Sequence, residues 1–151
     1  TNDAPSAVTR MTDMGVPGYL VASSVVAIMA QRLVRVICTR CKEPDQPPQE
    51  VLDEAGFTPE MIAESKFSRG SGCNFCNRSG YRGRLAVYEI MRVTSGIREL
   101  IFANADTATI RELAIKEGMT TLFNDGCEKV KDGITTFDEV WRVAKQTEQD
   151  H

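Results

Sequence analysis

Four of the five cysteines form two Cys-x-x-Cys pairs. Cys38 and Cys41 make the first pair, Cys73 and Cys76 make the second, and 31 residues separate them. Each such turn brings two thiolates to one side of a loop, and two facing turns supply the four sulfurs of a tetrahedral zinc site, at about 2.3 Å each. Four protein ligands leave no position for water or substrate. The expected zinc ion is therefore structural and has no catalytic chemistry of its own.

Two other interpretations of the pairs are disulfides and redox centres. Disulfides are disfavoured because the chain has no recognisable secretion signal, and a redox pair normally opens a helix after a strand, whereas glycines surround Cys73. The gap between the pairs exceeds the usual ~15–20 residues of a simple zinc ribbon. The gap must therefore hold further structure, and residues 51–63 are predicted to form a short helical segment.

Basic side chains cluster around both pairs without any acidic neighbour. Nine lie within residues 32–42 and 65–88, namely Arg32, Arg35, Arg40, Lys42, Lys66, Arg69, Arg78, Arg82 and Arg84. Cations of this kind lower thiol pKa values and offset the repulsion between thiolates. The whole chain has a net charge of −3, which argues against a general nucleic-acid binder.

The other candidate residues have structural interpretations. Cys127 lies at core spacing on a predicted helix, and His151, the last residue, is interpreted as a tag remnant. The glycines at 70, 72, 80 and 83 are predicted to shape turns around the second pair. A Walker A loop, a G-x-G-x-x-G motif and a Ser/His/Asp set are all absent from the sequence, so the chain alone is not predicted to be catalytic.

The hydrophobic pattern predicts an α+β chain that is mostly helical. Helices are expected over residues 4–14 and about 20–31, and strands over 33–37 and 85–91. The strands are almost continuously apolar, which indicates burial on both faces, and antiparallel pairing would bring Cys38 near the start of the second. The metal module would then be an insertion at a sheet edge. Three prolines within residues 44–48 disfavour helix and strand there.

The C-terminal third is predicted to be a small helical bundle. Its apolar stripes include Ile97, Ile110 and Phe123, and the last helix begins at Thr136, which forms a capping box with Glu139. Trp141 is expected to anchor packing. The paired acids Asp53/Glu54 and Asp138/Glu139 are interpreted as helix-start or surface residues.

No segment is predicted to cross a membrane. The longest apolar run covers residues 19–30, well short of the ~20 residues that span a bilayer. The chain also lacks a basic segment followed by an apolar one at its start, and Thr1 in place of Met indicates a fragment of a longer protein.

Several motifs together resemble a known family. They are T-N-D-A-P-S-A-V at residues 1–8, Q-R-L-V-R at 31–35, C-T-R-C at 38–41, G-C-N-F-C-N-R-S-G-Y-R-G-R at 72–84, V-Y-E-I at 87–90 and D-G-I-T-T-F-D-E-V at 132–140. In this combination they are similar to the C-terminal part of the GspE and PilB family, the type II secretion and type IV pilus assembly ATPases. Ala86 departs from the family pattern, which often has glycine there.

The resemblance implies a homo-hexameric ATPase at the cytoplasmic face of the inner membrane that drives pseudopilus or pilus assembly. Residues 1–37 and 85–92 would form the C-terminal edge of its RecA-like domain, 38–84 a tetracysteine zinc insertion and 93–147 a C-terminal helical subdomain. The Walker A lysine and the sites for ATP and Mg²⁺ would lie upstream of Thr1. Pilus retraction ATPases generally lack the cysteines, so the four thiols favour the secretion and assembly branch.

We expect the zinc to hold the insertion rigid and to present a basic surface to a neighbouring subunit or an inner-membrane platform protein. Arg78, Arg82 and Arg84 are the candidate contact residues, and Arg82 and Arg84 could instead hold the strand against the metal loop. A nucleic-acid-binding zinc ribbon is the alternative function, with exposed Phe75 and Tyr81 stacking on bases, although no nucleic acid is the expected partner. A purely structural domain retained for oligomerisation is a third interpretation.

Overall fold

The computed structural model describes residues 3–145. Within this range the chain forms eight α-helices, one π-helical turn and two two-stranded sheets. The helices are α1 Ala4–Asp13, α2 Gly18–Ser24, α3 Gln49–Glu54, α4 Pro59–Glu64, α5 Ser95–Phe102, α6 Thr107–Lys116, α7 Leu122–Lys131 and α8 Phe137–Val140, which continues as the π-helical turn Trp141–Lys145. The strands are β1 Ala27–Ile37, β2 Lys42–Pro44, β3 Ser68–Gly70 and β4 Tyr81–Arg92. The α+β class is confirmed.

The long strands β1 and β4 pair with each other. Cys38 N–H donates to the Gly80 carbonyl at 2.9 Å beyond one end, and Val93 N–H donates to the Val26 carbonyl at 2.9 Å beyond the other. The end of β1 therefore meets the start of β4, so the two strands run antiparallel, as predicted.

The predicted helix over residues 20–31 is wrong in its second half. Helix α2 ends at Ser24, and residues 27–31 already belong to β1. The apolar side chains of Val25, Val26, Ile28 and Met29 fit a helical or an extended period equally well, and hydrogen bonds from β4 decide the outcome. A pairing partner more than fifty residues away cannot be read from local periodicity.

The prediction that the long strands are buried on both faces is also wrong among residues 3–145. Side chains alternate between the two faces, as strand geometry requires. Met29, Leu33, Tyr88 and Ile90 are all more than two-fifths exposed, whereas Val34, Val87 and Met91 are buried. Several apolar side chains of both strands are thus uncovered within residues 3–145.

The chain divides into two compact units. The first comprises residues 3–31 and 88–122, and the second comprises 32–87 and 123–145. In the first unit, α1, α2, α5 and α6 contact one another. Their core consists of Ala4, Val8, Val21, Ala22, Met91, Val93, Ile97, Ile101, Ile110 and Ala114. Helices α5 and α6 belong to the first unit and α8 belongs to the second.

In the second unit an aromatic cluster joins the region between the cysteine pairs to the last helix. Phe57, Phe67 and Phe137 have ring centroids 5.3–5.7 Å apart, and Trp141 adds contacts to Phe137 at 5.4 Å and Phe123 at 5.9 Å. Trp141 therefore anchors packing, as predicted. Pairs of rings at these separations add stabilisation beyond the apolar area that they bury.

The segment between the cysteine pairs has two short helices and a small sheet. Helices α3 and α4 occupy the predicted helical segment and are separated by Gly56, whose φ of 78° lies in the left-handed region. The proline segment is only partly irregular, because Pro44 ends β2 opposite Ser68 of the antiparallel partner β3. An edge position tolerates proline because no inter-strand N–H is required there.

No helix among the described residues has both the length and the apolar composition needed to cross a membrane.

Candidate metal centre

The four cysteines of the two pairs lie together in the second unit. Their sulfur atoms are all within 4.8 Å of one another. The Sγ–Sγ distances are 3.8 Å for Cys38 and Cys73, 3.8 Å for Cys41 and Cys76, and 3.7 Å for Cys73 and Cys76. A regular tetrahedron with zinc–sulfur bonds of about 2.3 Å has sulfur–sulfur edges of about 3.8 Å. The four thiols can therefore hold a metal ion, and the spacing fits zinc.

The same distances exclude disulfide bonds in this structure. A disulfide requires sulfurs about 2.05 Å apart, and all five cysteines are free. Burial alone would raise the pKa of Cys76, but backbone N–H groups of Cys73 and Gly80, each 3.3 Å from its sulfur, outweigh burial and lower that pKa to about 6. Hydrogen bonds of this kind stabilise a thiolate, which is the form that binds a metal.

Each pair is positioned by the end of a strand. Cys38 follows β1 directly, and Cys41 precedes β2. The second pair lies in a turn that is closed by a hydrogen bond from Arg78 N–H to the Cys73 carbonyl at 2.8 Å. Asn77 and Arg78 both adopt left-handed conformations, with φ of 55° and 66°. The turn thereby folds back and directs the Cys76 sulfur toward the first pair.

Two glycines allow the two ends of the second turn to approach each other. A Cβ atom built on Gly70 would lie 2.1 Å from the Gly80 carbonyl oxygen, and one built on Gly80 would lie 2.6 Å from the Gly70 oxygen. Gly80 also has a φ of 81°, which side chains rarely permit. The prediction that glycines shape the turns around the second pair is confirmed at these two positions.

The cationic residues next to the pairs pack on an aromatic ring. The Arg40 and Arg82 guanidinium groups lie 3.8 Å and 4.0 Å from the centroid of Phe75, and Arg82 Nη1 donates to the Phe75 carbonyl at 2.8 Å. These cation–π contacts connect the first turn, the second turn and β4. Arg82 therefore has a structural contact, which is one of the two roles that the sequence left open for it.

Phe75 and Tyr81 are not the exposed rings expected for base stacking. Both are half-buried, Phe75 beneath two guanidinium groups and Tyr81 beneath Arg35, whose guanidinium lies 4.3 Å from the ring centroid. The Tyr81 hydroxyl is also 2.7 Å from the Thr136 hydroxyl. This packing removes the observation that favoured a nucleic-acid-binding ribbon.

The remaining predicted contact residues are exposed. Arg78 and Arg84 are exposed, and neither has a hydrogen bond or ion pair to another side chain among residues 3–145. Cys127, by contrast, is buried on α7 outside the group of four, and burial raises the pKa of its thiol to about 12. Its prediction as a core residue is confirmed. His151 lies outside the described residues.

Sequence reasoning missed an important buried acid, Glu139. The sequence indicates a helix-start or surface residue, but the Glu139 side chain is only 2% exposed and pairs with Arg35 and Arg142, each at 2.8 Å. The capping box is half formed, because Thr136 accepts from Glu139 N–H while the Glu139 carboxylate binds these arginines. Arg35 is 104 residues away in the chain, so no local signal indicates the pair.

A second buried acid, Glu89, lies in the first unit. One carboxylate oxygen accepts from Ala4 N–H at 2.8 Å and the other accepts from Leu122 N–H at 3.2 Å. Burial raises the pKa of Glu89. Asp3 caps the same end of α1 by accepting from Ser6 N–H at 2.9 Å and also pairs with Arg111. In the sequence, the local signal for this cluster is the Asp-Ala-Pro-Ser stretch alone, which is typical of the start of a helix.

These features define an α+β protein with a four-cysteine group able to hold a metal ion. The family described as type II/IV secretion system protein matches residues 1–142. This chain belongs to that family, and the predicted resemblance is confirmed.

Individual relatives match nearly the whole chain. The type IV pilus assembly ATPase PilB of Myxococcus xanthus is 41% identical over 141 residues, which cover 93% of this chain and 25% of the relative. The type II secretion system ATPase E of Vibrio cholerae is 38% identical over 150 residues, covering 97% and 29%. A putative type II secretion system protein E of Escherichia coli is 40% identical over 149 residues, with the same coverage. The chain therefore spans only about a quarter of the length of these relatives.

Proposed function

We propose that this chain is the C-terminal part of an ATPase that powers type II secretion or type IV pilus assembly. The support is the similarity to relatives named as such ATPases, together with the four-cysteine group that the resemblance predicted. ATP hydrolysis with Mg²⁺ belongs to the full-length protein, which acts as a hexamer at the cytoplasmic face of the inner membrane. This chain supplies a structural zinc module and a protein contact surface.

Within that protein, residues 1–37 and 85–92 belong to the edge of the RecA-like domain, 38–84 to the zinc insertion and 93–147 to a helical subdomain. The uncovered apolar side chains of β1 and β4 support the first assignment. Met29, Tyr88 and Ile90 are 59%, 43% and 53% exposed. Exposed apolar side chains on two neighbouring strands are typical of a surface that further chain covers.

Cys38, Cys41, Cys73 and Cys76 bind one zinc ion, and the observation that carries this assignment is the match of their sulfur spacing to a tetrahedral site. The first test is elemental analysis of protein purified without added metal, with a chelator titration followed by circular dichroism. We expect one zinc per chain and loss of structure on chelation, since a structural site contributes on the order of 10 kcal/mol to folding.

Two serine variants sharpen this test. Cys76→Ser should lose the zinc, whereas Cys127→Ser should retain it because Cys127 lies outside the group of four. A folded wild-type chain with four free thiols and no metal would reject the zinc assignment.

The proposed contact surface consists of Arg78, Arg82 and Arg84, next to the second cysteine pair. It presents positive charge to an acidic face of a neighbouring subunit or an inner-membrane platform protein. Arg78 is the informative position because it is exposed and has no side-chain partner among the described residues. Its replacement should leave the fold unchanged.

The surface is tested in the full-length protein with Arg78→Gln and the matched control Arg69→Gln, whose side chain pairs with exposed Glu43. Arg78→Gln should weaken hexamer formation or platform-protein binding several-fold, most strongly at low salt, because rim charges act mainly through long-range attraction. The contact surface is rejected if both hexamer formation and platform-protein binding are unchanged in Arg78→Gln and in the Arg78→Gln/Arg82→Gln double variant.

A further inference from the structure

A cavity of about 440 Å³ in the second unit is lined by three arginines. Its described lining residues are Leu33 and Arg35 from β1, Arg84 from β4 and Arg142 from the π-helical turn. Three guanidinium groups around one space repel each other. Nearby negative charge therefore favours their convergence.

Glu139 supplies part of that charge. Its carboxylate binds Arg35 through Nε at 2.9 Å and Nη2 at 2.8 Å, and Arg142 through Nη2 at 2.8 Å. The Arg84 side chain has no hydrogen bond or ion pair in the part of the chain that the structure describes. One carboxylate against three guanidinium groups leaves an excess of two positive charges at the cavity.

The same contacts hold two of the guanidinium groups in place. Arg35 is fixed between the Glu139 carboxylate and the Tyr81 ring, and Arg142 Nη2 also lies 3.5 Å from the Leu33 carbonyl. A guanidinium has five N–H donors, and these contacts occupy only some of them. Arg35 and Arg142 are each about half exposed, so the remaining donors can reach a ligand.

We propose that this cavity binds the phosphoryl group of a small soluble ligand. A phosphate dianion matches the excess of two charges, and its oxygens accept paired hydrogen bonds from planar guanidinium groups. The cavity volume lies within the ~300–1,000 Å³ typical of small-molecule sites, and a concave site favours a small solute over a flat bilayer. Leu33 provides an apolar wall. Glu139 is a positioning residue, and Arg84 is the direct ligand whose side chain has no other partner among residues 3–145.

This inference does not depend on the proposed function, and it is tested on the zinc-loaded 151-residue chain. Inorganic phosphate is titrated at constant ionic strength while the Nε–Hε resonances of the arginines are followed by NMR. We expect saturable shifts at Arg35, Arg84 and Arg142. Arg84→Gln should weaken binding about tenfold or more, because it removes charge-assisted hydrogen bonds to the anion. Arg69→Gln, which removes the same charge elsewhere in the second unit, should have no effect.

The alternatives give distinct results. Absence of saturable shifts, or equal weakening by Arg84→Gln and Arg69→Gln, would overturn the site. An equal response to acetate would overturn its preference for phosphoryl groups. Vesicles of phosphatidylcholine with phosphatidylglycerol provide the second arm of the test: sedimentation with such vesicles, without saturable binding of free phosphate, would assign the arginines to a lipid surface and overturn the proposal.

Discussion

At the scale of single residues, Glu139 is the side chain on which the second unit depends most clearly. It is almost fully buried, while Arg35 and Arg142 are each about half exposed. The ion pairs of Glu139 with these two arginines therefore differ from an exposed ion pair, in which solvent screens both charges. Removing one partner of a buried pair is strongly destabilising because the other groups lose their compensation.

We predict that Glu139→Gln lowers the free energy of unfolding by about 3 kcal/mol. The amide retains the shape of the side chain but not the charge that two guanidinium groups share. Urea denaturation of the zinc-loaded protein measures the change. Glu43→Gln is the control, because its pair with Arg69 is exposed on both sides and contributes at most about 1 kcal/mol. Equal effects of the two substitutions would contradict this account.

The pH dependence of stability provides a second prediction at Glu139. Burial opposes ionisation, but hydrogen bonds from Arg142 and Arg35 outweigh it and lower the pKa from its ordinary value of 4.5 to about 2. The unfolded chain therefore binds the proton more readily than the folded chain. The contribution of Glu139, at most about 3 kcal/mol, is fully present above pH ~4.5 and is lost as the pH falls toward 2.

This dependence is measured as the difference in unfolding free energy between wild type and Glu139→Gln at several pH values. Other groups titrate in both proteins and cancel in the difference, including Glu89, whose pKa is raised by burial. The difference should shrink with acidification. The comparison is restricted to pH values at which elemental analysis still finds bound zinc, because acid protonates the thiolates and releases the metal. A difference that stays constant as the pH falls below ~4.5 within that range would show that the charge of Glu139 is unimportant.

At the scale of elements, the ends of strands and helices determine where the functional groups lie. The cysteines follow or precede strands, and the N-termini of α1 and α7 share one carboxylate, that of Glu89. Backbone N–H groups at a helix start lack partners within the helix, so a buried acid at that position satisfies them. One residue of β4 thus fixes the start of two helices.

The contact between Gly70 of β3 and Gly80 gives a prediction for these elements. Gly80→Ala would place a methyl group 2.6 Å from the Gly70 oxygen at a left-handed φ. We expect a loss of about 3 kcal/mol in stability from backbone strain and overlap, and weaker zinc binding because the two ends of the second turn move apart and displace Cys73 and Cys76. Chelator competition and denaturation measure the two effects.

Gly83→Ala is a closely matched control for this substitution. Gly83 has a similar φ of 87°, but a Cβ there meets nothing within 4 Å. Only the left-handed backbone is then strained, at a cost of about 1 kcal/mol. If both alanine variants bind zinc equally well, the close approach of the two ends of the second turn is not needed for the metal site.

Comparison of elements shows which parts of the fold can be predicted from sequence. Helices α1 and α6 were predictable because Asp3 and Asp106 cap them and glycines follow. The first half of β1 was not predictable, since its extended form depends on pairing with distant β4. The four-cysteine group was predictable because each pair is local, whereas the Glu139 network and the arginine cavity join residues about 50–100 positions apart.

At the scale of the whole molecule, the four cysteines and the core of the first unit are separate. All four thiols belong to the second unit, while the first has its own apolar core around Ile97 and Ile110. Metal removal should therefore affect the two units unequally. Local stability of this kind is reported by amide hydrogen exchange.

We predict that chelation removes exchange protection from residues 38–44 and 68–82 and leaves α5 and α6 protected. The thiolates repel each other without a metal ion, whereas the first unit retains its buried side chains. Hydrogen exchange of the zinc-loaded and chelated chain, read by mass spectrometry, measures this difference. Cys127→Ser should show the same pattern as wild type. Uniform loss of protection in both units would mean that the chain unfolds as one cooperative body.

The contact between Gly70 and Gly80 also has an evolutionary consequence. Neither position accepts a side chain while the backbone of the other lies against it. The two glycines should therefore be retained or replaced together among relatives, although nine residues separate them in the chain. Their constraint comes from the second turn, whose two ends lie against each other where Cys73 and Cys76 join the group of four. In a lineage that discards the four thiols, both glycines become free to vary, so their loss should follow the loss of the cysteines rather than precede it.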